Sequence, residues 1–224
     1  MNRKIILDLC GGTGAWSLPY KEAGYDVRNI TLPEYDVRTY ILPNEPIYGI
    51  LAAPPCTMFS DARTNAKTPR DLKGGMEIVE ACLKLIWKAQ YRTISDQQKY
   101  SPLKFWALEN PYFGRLRWFL GRPAFVFDPW EFGDAYKKRT ALWGLFNEPI
   151  KIYKNINEVM TEEQIAKCKT NSRQMPKFDQ LLMPQLRILK GVNNLDYWKD
   201  RKNRQTLRSI TPQGFARAFF EVNK

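Results

Sequence analysis

The sequence contains no histidine among its 224 residues. Histidine general bases and histidine-ligated metals are therefore excluded. The remaining candidates for acid–base chemistry are carboxylates, lysines, tyrosines and thiols. We predict no bound metal. Cysteine is also scarce, and the four residues form no Cys-x-x-Cys pair: Cys10, Cys56, Cys82 and Cys168. This spacing indicates neither a zinc site nor a disulfide framework and fits a reducing cytoplasm.

Long apolar runs are missing as well. No segment approaches the roughly 18 apolar residues of a membrane-spanning helix. The N-terminus is basic and then apolar, like a signal peptide, but Asp8 interrupts the apolar run too early. We therefore expect a cytoplasmic protein with no membrane partner. No internal repeat or low-complexity tract is found, and the sequence does not indicate an oligomeric state.

The charge balance is strongly basic. The chain has 35 Lys and Arg against 23 Asp and Glu, a net charge of +12. Such an excess favours a polyanionic partner, although ribosomal and many other soluble proteins are also basic. With the aromatic content, it leads us to expect nucleic acid as the partner.

Short apolar segments alternate with helical patterns in the first 150 residues. Strands are predicted at 4–9, 25–32, 47–53, 105–108, 124–127 and 141–145, and helices at 15–24 and 75–91. This order predicts an α/β fold with a mostly parallel, Rossmann-like sheet, whose ligands bind at the carboxyl ends of the strands. Cys82 falls on the apolar face of the second helix and is predicted to be a core residue.

Three regions differ in character. Residues 1–150 are predicted to form the main domain. Residues 151–208 contain 13 Lys and Arg and 6 Asp and Glu without strand alternation, which indicates a small basic subdomain. Residues 209–224 are predicted to form a helix that begins near Pro212 and packs back onto the main sheet.

Three positions at the predicted strand ends can carry chemistry. A glycine-rich turn at 11–14 follows the first strand and would let a ligand approach the backbone. Cys56 follows two prolines, so its thiol is presented rigidly and is a candidate nucleophile. Glu109 ends the fourth strand. The alternatives are that Cys56 is a small buried hydrophobe and that Glu109 is a helix cap or a solvated strand end.

The pattern around these positions resembles a known family. Residues 55–60 read Pro-Cys-Thr-Met-Phe-Ser and match the Pro-Cys-x-x-Phe-Ser loop of cytosine-5 methyltransferases without a gap. Residues 8–14 match the family's first motif loosely, and its Glu-Asn-Val element appears here as Glu109-Asn110-Pro111. The order and spacing over 4–143 resemble the small phage or bacterial members, whose fold is the S-adenosylmethionine-dependent methyltransferase type.

The resemblance implies a cofactor site for S-adenosyl-L-methionine. Asp8, Gly11, Gly14 and Trp16 would line its methionine and adenine regions, although Trp16 could instead be a core aromatic residue. The full set of implied contacts is Asp8, Leu9, Cys10, Gly11, Gly12, Thr13, Gly14, Trp16, Thr31, Leu32, Asp36, Val37 and Pro54. Asp36 and Val37 resemble the family's contact to the adenine amine. For the ribose, either Thr31 substitutes for the usual acidic residue or Glu34 reaches back.

The resemblance also implies a catalytic set of Cys56, Glu109 and a basic residue. The family's basic motif is replaced here, so that Lys138, or Arg139 by a shift of one residue, would hold the cytosine or its phosphate. A solvated basic turn is the alternative. The Gly-Asn pair that precedes the family's last helix is absent. The loop at 61–74 is placed to close over a flipped nucleotide, or is a surface loop.

The resemblance thus implies that 1–150 is a catalytic domain and 151–208 a target-recognition region. The implied activity is methyl transfer from S-adenosyl-L-methionine to carbon 5 of cytosine in DNA, through a covalent adduct of Cys56 at carbon 6. Two alternatives stay open. One is cytosine-5 methylation of RNA, and the other is a catalytically weak nucleic-acid-binding protein that retains the fold.

Overall fold

The computed structural model describes residues 3–61, 63, 66–91, 93–94, 99–100, 103–162 and 209–224. The strands are β1 (Ile5–Leu9), β2 (Asp26–Ile30), β3 (Ile47–Ala52), β4 (Thr93–Ile94), β5 (Lys99–Tyr100), β6 (Phe105–Pro111), β7 (Phe125–Phe127) and β8 (Thr140–Leu145). The helices are α1 (Leu18–Glu22), α2 (Leu72–Gln90), α3 (Arg117–Leu120) and α4 (Gln213–Val222), with 3₁₀ turns at Pro129–Phe132 and Ile156–Glu158.

Six of these strands form one sheet in the order β2-β1-β3-β6-β8-β7. The first four are parallel to one another, and β8 is antiparallel to both β6 and β7. This is the mostly parallel, Rossmann-like α/β sheet predicted from the sequence, and the last two predicted strands pair with each other antiparallel in it. The order brings the carboxyl ends of β1, β3 and β6 side by side at one edge.

Alternate residues of the central strands belong to two apolar clusters, one on each face of the sheet. Leu7 and Leu9 of β1 pack in the cluster that contains the inner face of α2, whereas Ile6 packs in the cluster of α1 and α4. Strand side chains alternate between faces, so the two clusters are the two faces of one sheet. Cys82 lies fully buried on the inner face of α2, as predicted.

The C-terminal helix α4 packs back onto the sheet, as predicted. The rings of Phe215 and Phe127 stack with centroids 3.9 Å apart. The helix begins beside the 3₁₀ turn, where a Cβ on Gly214 would lie 2.0 Å from the Phe132 carbonyl oxygen. At its far end, Asn223 accepts a hydrogen bond from the Asn147 amide and donates one to the Asn147 carbonyl, at 2.8 and 2.9 Å.

Several predicted boundaries were wrong, for local reasons. Helix α1 begins at Leu18 rather than at residue 15; Pro19, which lacks an N–H, occupies its first turn. Helix α2 begins at Leu72 because the Asp71 carboxylate accepts a hydrogen bond from the Gly74 amide. Strand β6 continues to Pro111 instead of ending at residue 108, because β8 pairs with it over that length.

Residues 163–208, most of the predicted basic subdomain, lie outside the described residues, as do residues 62, 64 and 65 of the predicted closing loop. The proposed division at 150 and the roles of these segments therefore stay predictions. Within the described residues, no helix has the length and apolar character needed to cross a bilayer.

Candidate active site

The segment after β3, residues 54–60, which we call the Cys56 loop, is held by hydrogen bonds at its start and within its turn. The buried Asn110 side chain of β6 donates to the Pro54 carbonyl oxygen at 3.0 Å. The Cys56 carbonyl oxygen accepts hydrogen bonds from the Phe59 and Ser60 amides at 3.0 and 2.8 Å, which closes a single turn immediately after the thiol. Cys56 itself is partly exposed.

The far half of the Cys56 loop is also braced. Phe59 is fully buried, and its carbonyl oxygen accepts a hydrogen bond from the Arg115 amide at 2.9 Å. The Arg70 guanidinium donates to the Met58 carbonyl oxygen at 2.9 Å. A Cβ on Gly75 would lie 3.1 Å from Met58 and from the Phe59 ring, so the glycine allows the start of α2 to approach the loop closely. The backbone that carries the thiol is therefore held from both sides.

Three ionisable groups lie close enough to perturb one another. Burial raises the pKa of the Cys56 thiol, the nearby Glu109 raises it further, and Lys138 acts to lower it. Burial likewise raises the pKa of the Glu109 carboxyl, against the opposing effect of Lys138. The structure thus brings Cys56, Glu109 and Lys138 within electrostatic range of one another. Glu109 is a carboxyl group that holds its proton more tightly than usual, and Lys138 is the cation beside it and the thiol.

Glu109 occupies a different position from the one predicted. It lies inside β6 and pairs with Leu142 of β8, so it is neither a helix cap nor the end of a strand. Its side chain is half-buried, and the electrostatic effect of Glu109 reaches Tyr136, a buried residue before β8 whose pKa burial raises well above its ordinary value. The extended strand gives the carboxyl group a fixed backbone on which to face Cys56.

Of the two predicted basic residues, the structure brings only Lys138 to this site. The Arg139 guanidinium lies 5.4 Å from the centre of the Tyr112 ring, and the Arg139 carbonyl oxygen accepts a hydrogen bond from the Tyr112 amide at 2.9 Å. Arg139 therefore lies against Tyr112, whereas the charge of Lys138 acts on Cys56 and Glu109. The alternative that Arg139, by a shift of one residue, holds the cytosine or its phosphate stays a prediction.

The glycine-rich turn after β1 lies at the same edge of the sheet. Gly12 and Gly14 have φ angles of 53° and 71°, a conformation that glycine adopts without strain, and Cys10 also has a positive φ of 56°. The Gly14 amide donates to the Gly11 carbonyl oxygen at 2.9 Å, and the Asn29 side chain of β2 donates to the Gly12 carbonyl oxygen at 3.0 Å. These bonds set the backbone of the turn.

Asp8 is a fully buried carboxylate beneath this turn. Ser17 donates a hydrogen bond of 2.5 Å to one of its oxygens, while the other, Oδ1, has no hydrogen-bond partner among the described residues. Burial raises the pKa of Asp8 to about 6, although the bond from Ser17 lowers it. A Cβ on Gly11 would lie 2.3 Å from the Asp8 carboxyl carbon, so only glycine fits there. The turn and the unpartnered oxygen form a site that suits a ligand with a hydrogen-bond donor.

Three of the predicted cofactor contacts have side chains in the core instead. Trp16 is 2% exposed, and its ring packs on Phe215 and Phe219 with centroids 6.0 and 5.5 Å apart. Leu9 and Val37 belong to the apolar cluster on the other face. Stacking of Trp16 on a purine is therefore corrected to the alternative of a core aromatic residue, because α4 covers its ring. Pro54 is buried and offers its carbonyl oxygen to Asn110.

The predicted adenine and ribose contacts lie in the turn after β2. The Asp36 carboxylate accepts hydrogen bonds from the Arg38 guanidinium, which lowers the pKa of Asp36 to about 2. The Thr31 carbonyl oxygen accepts a hydrogen bond from the Tyr35 amide at 3.0 Å, while Leu32 is 67% exposed. Asp36 still influences the Cys10 thiol electrostatically, so this turn adjoins the glycine-rich turn. Thr13 is exposed, as is Glu34.

Two features of the site had no assigned role in the sequence. Asn110 positions the Cys56 loop, and the only available signal was its place directly after Glu109. Cys10 and Cys82 form a hydrogen bond between their thiols, which lowers the pKa of Cys10 and raises that of Cys82. The residues are 72 positions apart in the sequence and meet only because α2 packs against β1.

No family model and no curated protein matches the chain. Solved structures with a similar backbone include a methyltransferase of Entamoeba histolytica, EhMeth, with 9% sequence identity and a TM-score of 0.44 over 100% of this chain and 98% of that chain. At that level of similarity the comparison assigns no function to the chain. The proposals below depend on the residues at the site.

Proposed function

We propose that this protein transfers a methyl group from S-adenosyl-L-methionine to carbon 5 of cytosine in DNA, with Cys56 as the nucleophile. The observation that carries the proposal is the meeting of Cys56, Glu109 and Lys138 at the carboxyl edge of β3 and β6. The match of residues 55–60 to the cytosine-5 methyltransferase loop supports it. The reaction requires a thiol beside a carboxyl group, and Cys56 and Glu109 supply them.

Carbon 5 of cytosine is a poor nucleophile by itself. Attack of the Cys56 thiolate forms an S–C bond at carbon 6 and moves the electrons of the C5–C6 double bond into the ring, which makes carbon 5 enamine-like. Ring nitrogen 3 then gains electron density and accepts the proton of Glu109, the Cys56 proton having passed to solvent before the attack. Carbon 5 takes the methyl group with the enamine electron pair, and nitrogen 3 returns its proton to Glu109. Loss of the carbon 5 proton to solvent then restores the double bond and expels the Cys56 thiolate, which recovers its proton.

The directions of the pKa shifts support the part proposed for each residue in these steps. Because burial and Glu109 raise the pKa of Cys56, the free enzyme keeps a thiol at neutral pH, and Lys138 is the group that favours its ionised form. Burial raises the pKa of Glu109 and so favours the protonated carboxyl that can donate to nitrogen 3. Asn110 fixes the loop on which the sulfur approaches carbon 6.

The glycine-rich turn fits the cofactor. S-adenosyl-L-methionine supplies an activated methyl group when bound. Asp8 Oδ1 is a buried acceptor without a hydrogen-bond partner among the described residues, and the lack of a side chain at Gly11 lets the turn pack directly against this carboxylate. Gly12 and Gly14 allow close approach to the backbone, and the exposed Leu32 offers an apolar surface after β2. These residues would hold the cofactor, whereas the side chains of Trp16 and Val37 would not touch it.

The polymer is tested by supplying purified protein with labelled cofactor and DNA, RNA or free nucleotides. We expect label in the cytosines of DNA, and Cys56→Ser should abolish transfer while retaining cofactor binding. Cys168→Ser, which removes a thiol that the mechanism does not use, is the matched control. Label in RNA alone would show that RNA, not DNA, is the substrate. Undiminished methyl transfer by Cys56→Ser would exclude the mechanism.

A catalytically weak nucleic-acid-binding protein is a second candidate, and particular contacts favour it. Trp16 is buried, and the Asp36 carboxylate is already bound by Arg38, so two implied cofactor contacts are not offered to a ligand. Titration of the protein with S-adenosyl-L-methionine by calorimetry separates the candidates. Binding that is lost in Asp8→Ala supports the enzyme, whereas no measurable binding supports the second candidate.

A further inference from the structure

Exposed aromatic rings and arginines form a continuous surface beside the Cys56 loop. We call it the aromatic–arginine surface, and its members are Tyr112, Phe113, Arg115, Arg117, Trp118 and Phe119. Trp118 is 66% exposed, and Phe113 and Phe119 are also exposed. No acidic residue occurs between 112 and 127. Large rings cost free energy when they face water, so three exposed rings in seven residues indicate a binding surface rather than a packing region.

The arginines of this surface lie against its rings. The Arg115 guanidinium carbon is 5.4 Å from the centre of the Trp118 ring, and that of Arg117 is 5.6 Å from the Tyr112 ring. Arg139 approaches the same Tyr112 ring at 5.4 Å. Asp61 lies 3.8 Å from the Arg115 side chain. Asp128 feels the charge of Arg139. Among the described residues, no salt bridge involves Arg117. Rings interleaved with guanidinium groups match the chemistry of unpaired nucleotides, which present base faces and phosphates in alternation.

The surface is attached rigidly to the Cys56 loop. The Arg115 amide donates to the Phe59 carbonyl oxygen at 2.9 Å, and Ser60 forms a β-bridge with Gly114. The Asp61 amide donates to the Phe113 carbonyl oxygen at 3.3 Å, and the Phe59 and Phe119 rings meet edge to face. A polynucleotide with one base at Cys56 must therefore pass close to these rings.

We propose that the aromatic–arginine surface binds unpaired nucleotides that flank the target base, with Trp118 stacking on a base and Arg117 contacting a phosphate. The purpose of this surface rests on the proposed function, because unpaired flanking nucleotides arise where a base leaves its stack. The binding itself needs neither cytosine nor cofactor. It can therefore be measured separately from methyl transfer.

The test uses the full chain and fluorescein-labelled oligothymidine, which contains no cytosine. Trp118→Ala should weaken its binding about tenfold, the size expected for one lost base–aromatic stack. Trp118→Phe should retain most of the affinity. Arg117→Ala should lower the slope of log affinity against log salt by about one. Trp87→Ala is the matched control, because Trp87 is a similarly exposed tryptophan on α2 at 68%.

Three results would overturn the proposal: unchanged affinity in Trp118→Ala, an equal loss in Trp87→Ala, or an equal loss on duplex DNA, which offers no free base faces. A protein partner for the surface would give the first of these. The outcome is independent of the methyl-transfer proposal. If Cys56 forms no adduct with cytosine but Trp118→Ala still loses oligothymidine affinity, nucleotide binding by this surface is supported and the proposed reaction is excluded. If Cys56 does form an adduct and the affinity is unchanged, only the surface is excluded.

Discussion

The side-chain amide of Asn110 donates a hydrogen bond to the Pro54 carbonyl oxygen at 3.0 Å, and Asn110 is fully buried. This bond connects β6, which carries Glu109, to the loop that carries Cys56. The bond therefore helps to fix the position of the thiol relative to the carboxyl group, together with the other contacts of the loop. Asn110 acts on the reaction through the backbone and does not touch the reacting atoms itself.

Asn110→Ala should remove the hydrogen bond that joins β6 to the Cys56 loop. It leaves a buried carbonyl unpaired, which costs about 1 to 3 kcal/mol of stability, and it frees the Cys56 loop, so methyl transfer should fall by about tenfold or more. Asn29→Ala is the matched control, since it removes an equivalent amide-to-carbonyl bond from the Gly12 turn. We expect the control to weaken cofactor binding and leave the alkylation rate of Cys56 unchanged. Equal effects of both variants on Cys56 alkylation would contradict the assigned role.

The pH dependence of Cys56 alkylation should report its two charged neighbours. Burial and Glu109 raise the pKa of the thiol above its ordinary value of 9.0, so the rate with iodoacetamide should still increase above that pH. Glu109→Gln removes a negative charge and should move the midpoint down, whereas Lys138→Met removes a positive charge and should move it up. The measurement is mass spectrometry of the Cys56 peptide, with the peptide of the buried Cys82 as an internal reference. Midpoints that coincide in both variants would show that the three groups are not neighbours.

Asp8→Asn should remove a pH-dependent part of the stability. The pKa of Asp8 is about 6 in the folded protein against an ordinary 3.8. The folded state then holds the proton more tightly than the unfolded chain. The free energy of unfolding therefore decreases by about 3 kcal/mol as pH rises between those two values, and this group has no further effect at higher pH.

Denaturant unfolding of the wild-type protein and of Asp8→Asn across this window measures the difference. The wild type should lose more stability than the variant as pH rises, since asparagine can still accept the Ser17 bond but does not ionise. Parallel curves for the two proteins would show that the Asp8 carboxyl is not desolvated.

The sequence predicted the sheet because its central strands are short apolar runs between glycine and proline turns, and the positions of Cys56 and the glycine-rich turn follow directly from those runs. Contacts between distant segments were not predictable. Strand β6 extends past Glu109 only because β8 pairs with it, and Trp16 is a core residue only because α4 covers it. Which of Lys138 and Arg139 approaches Cys56 likewise depended on a contact between distant segments, the packing of Arg139 on Tyr112.

The central claim is that the Cys56 thiolate attacks carbon 6 of cytosine, and covalent trapping tests it most directly. DNA containing 5-fluorocytosine has no proton to lose at carbon 5, so a nucleophile that has attacked stays attached after methylation. With S-adenosyl-L-methionine present, we predict a denaturation-resistant protein–DNA adduct whose DNA-bearing peptide contains Cys56, and no adduct with Cys56→Ser. An adduct that persists in Cys56→Ser, or no adduct although the protein binds both cofactor and DNA, would contradict the account.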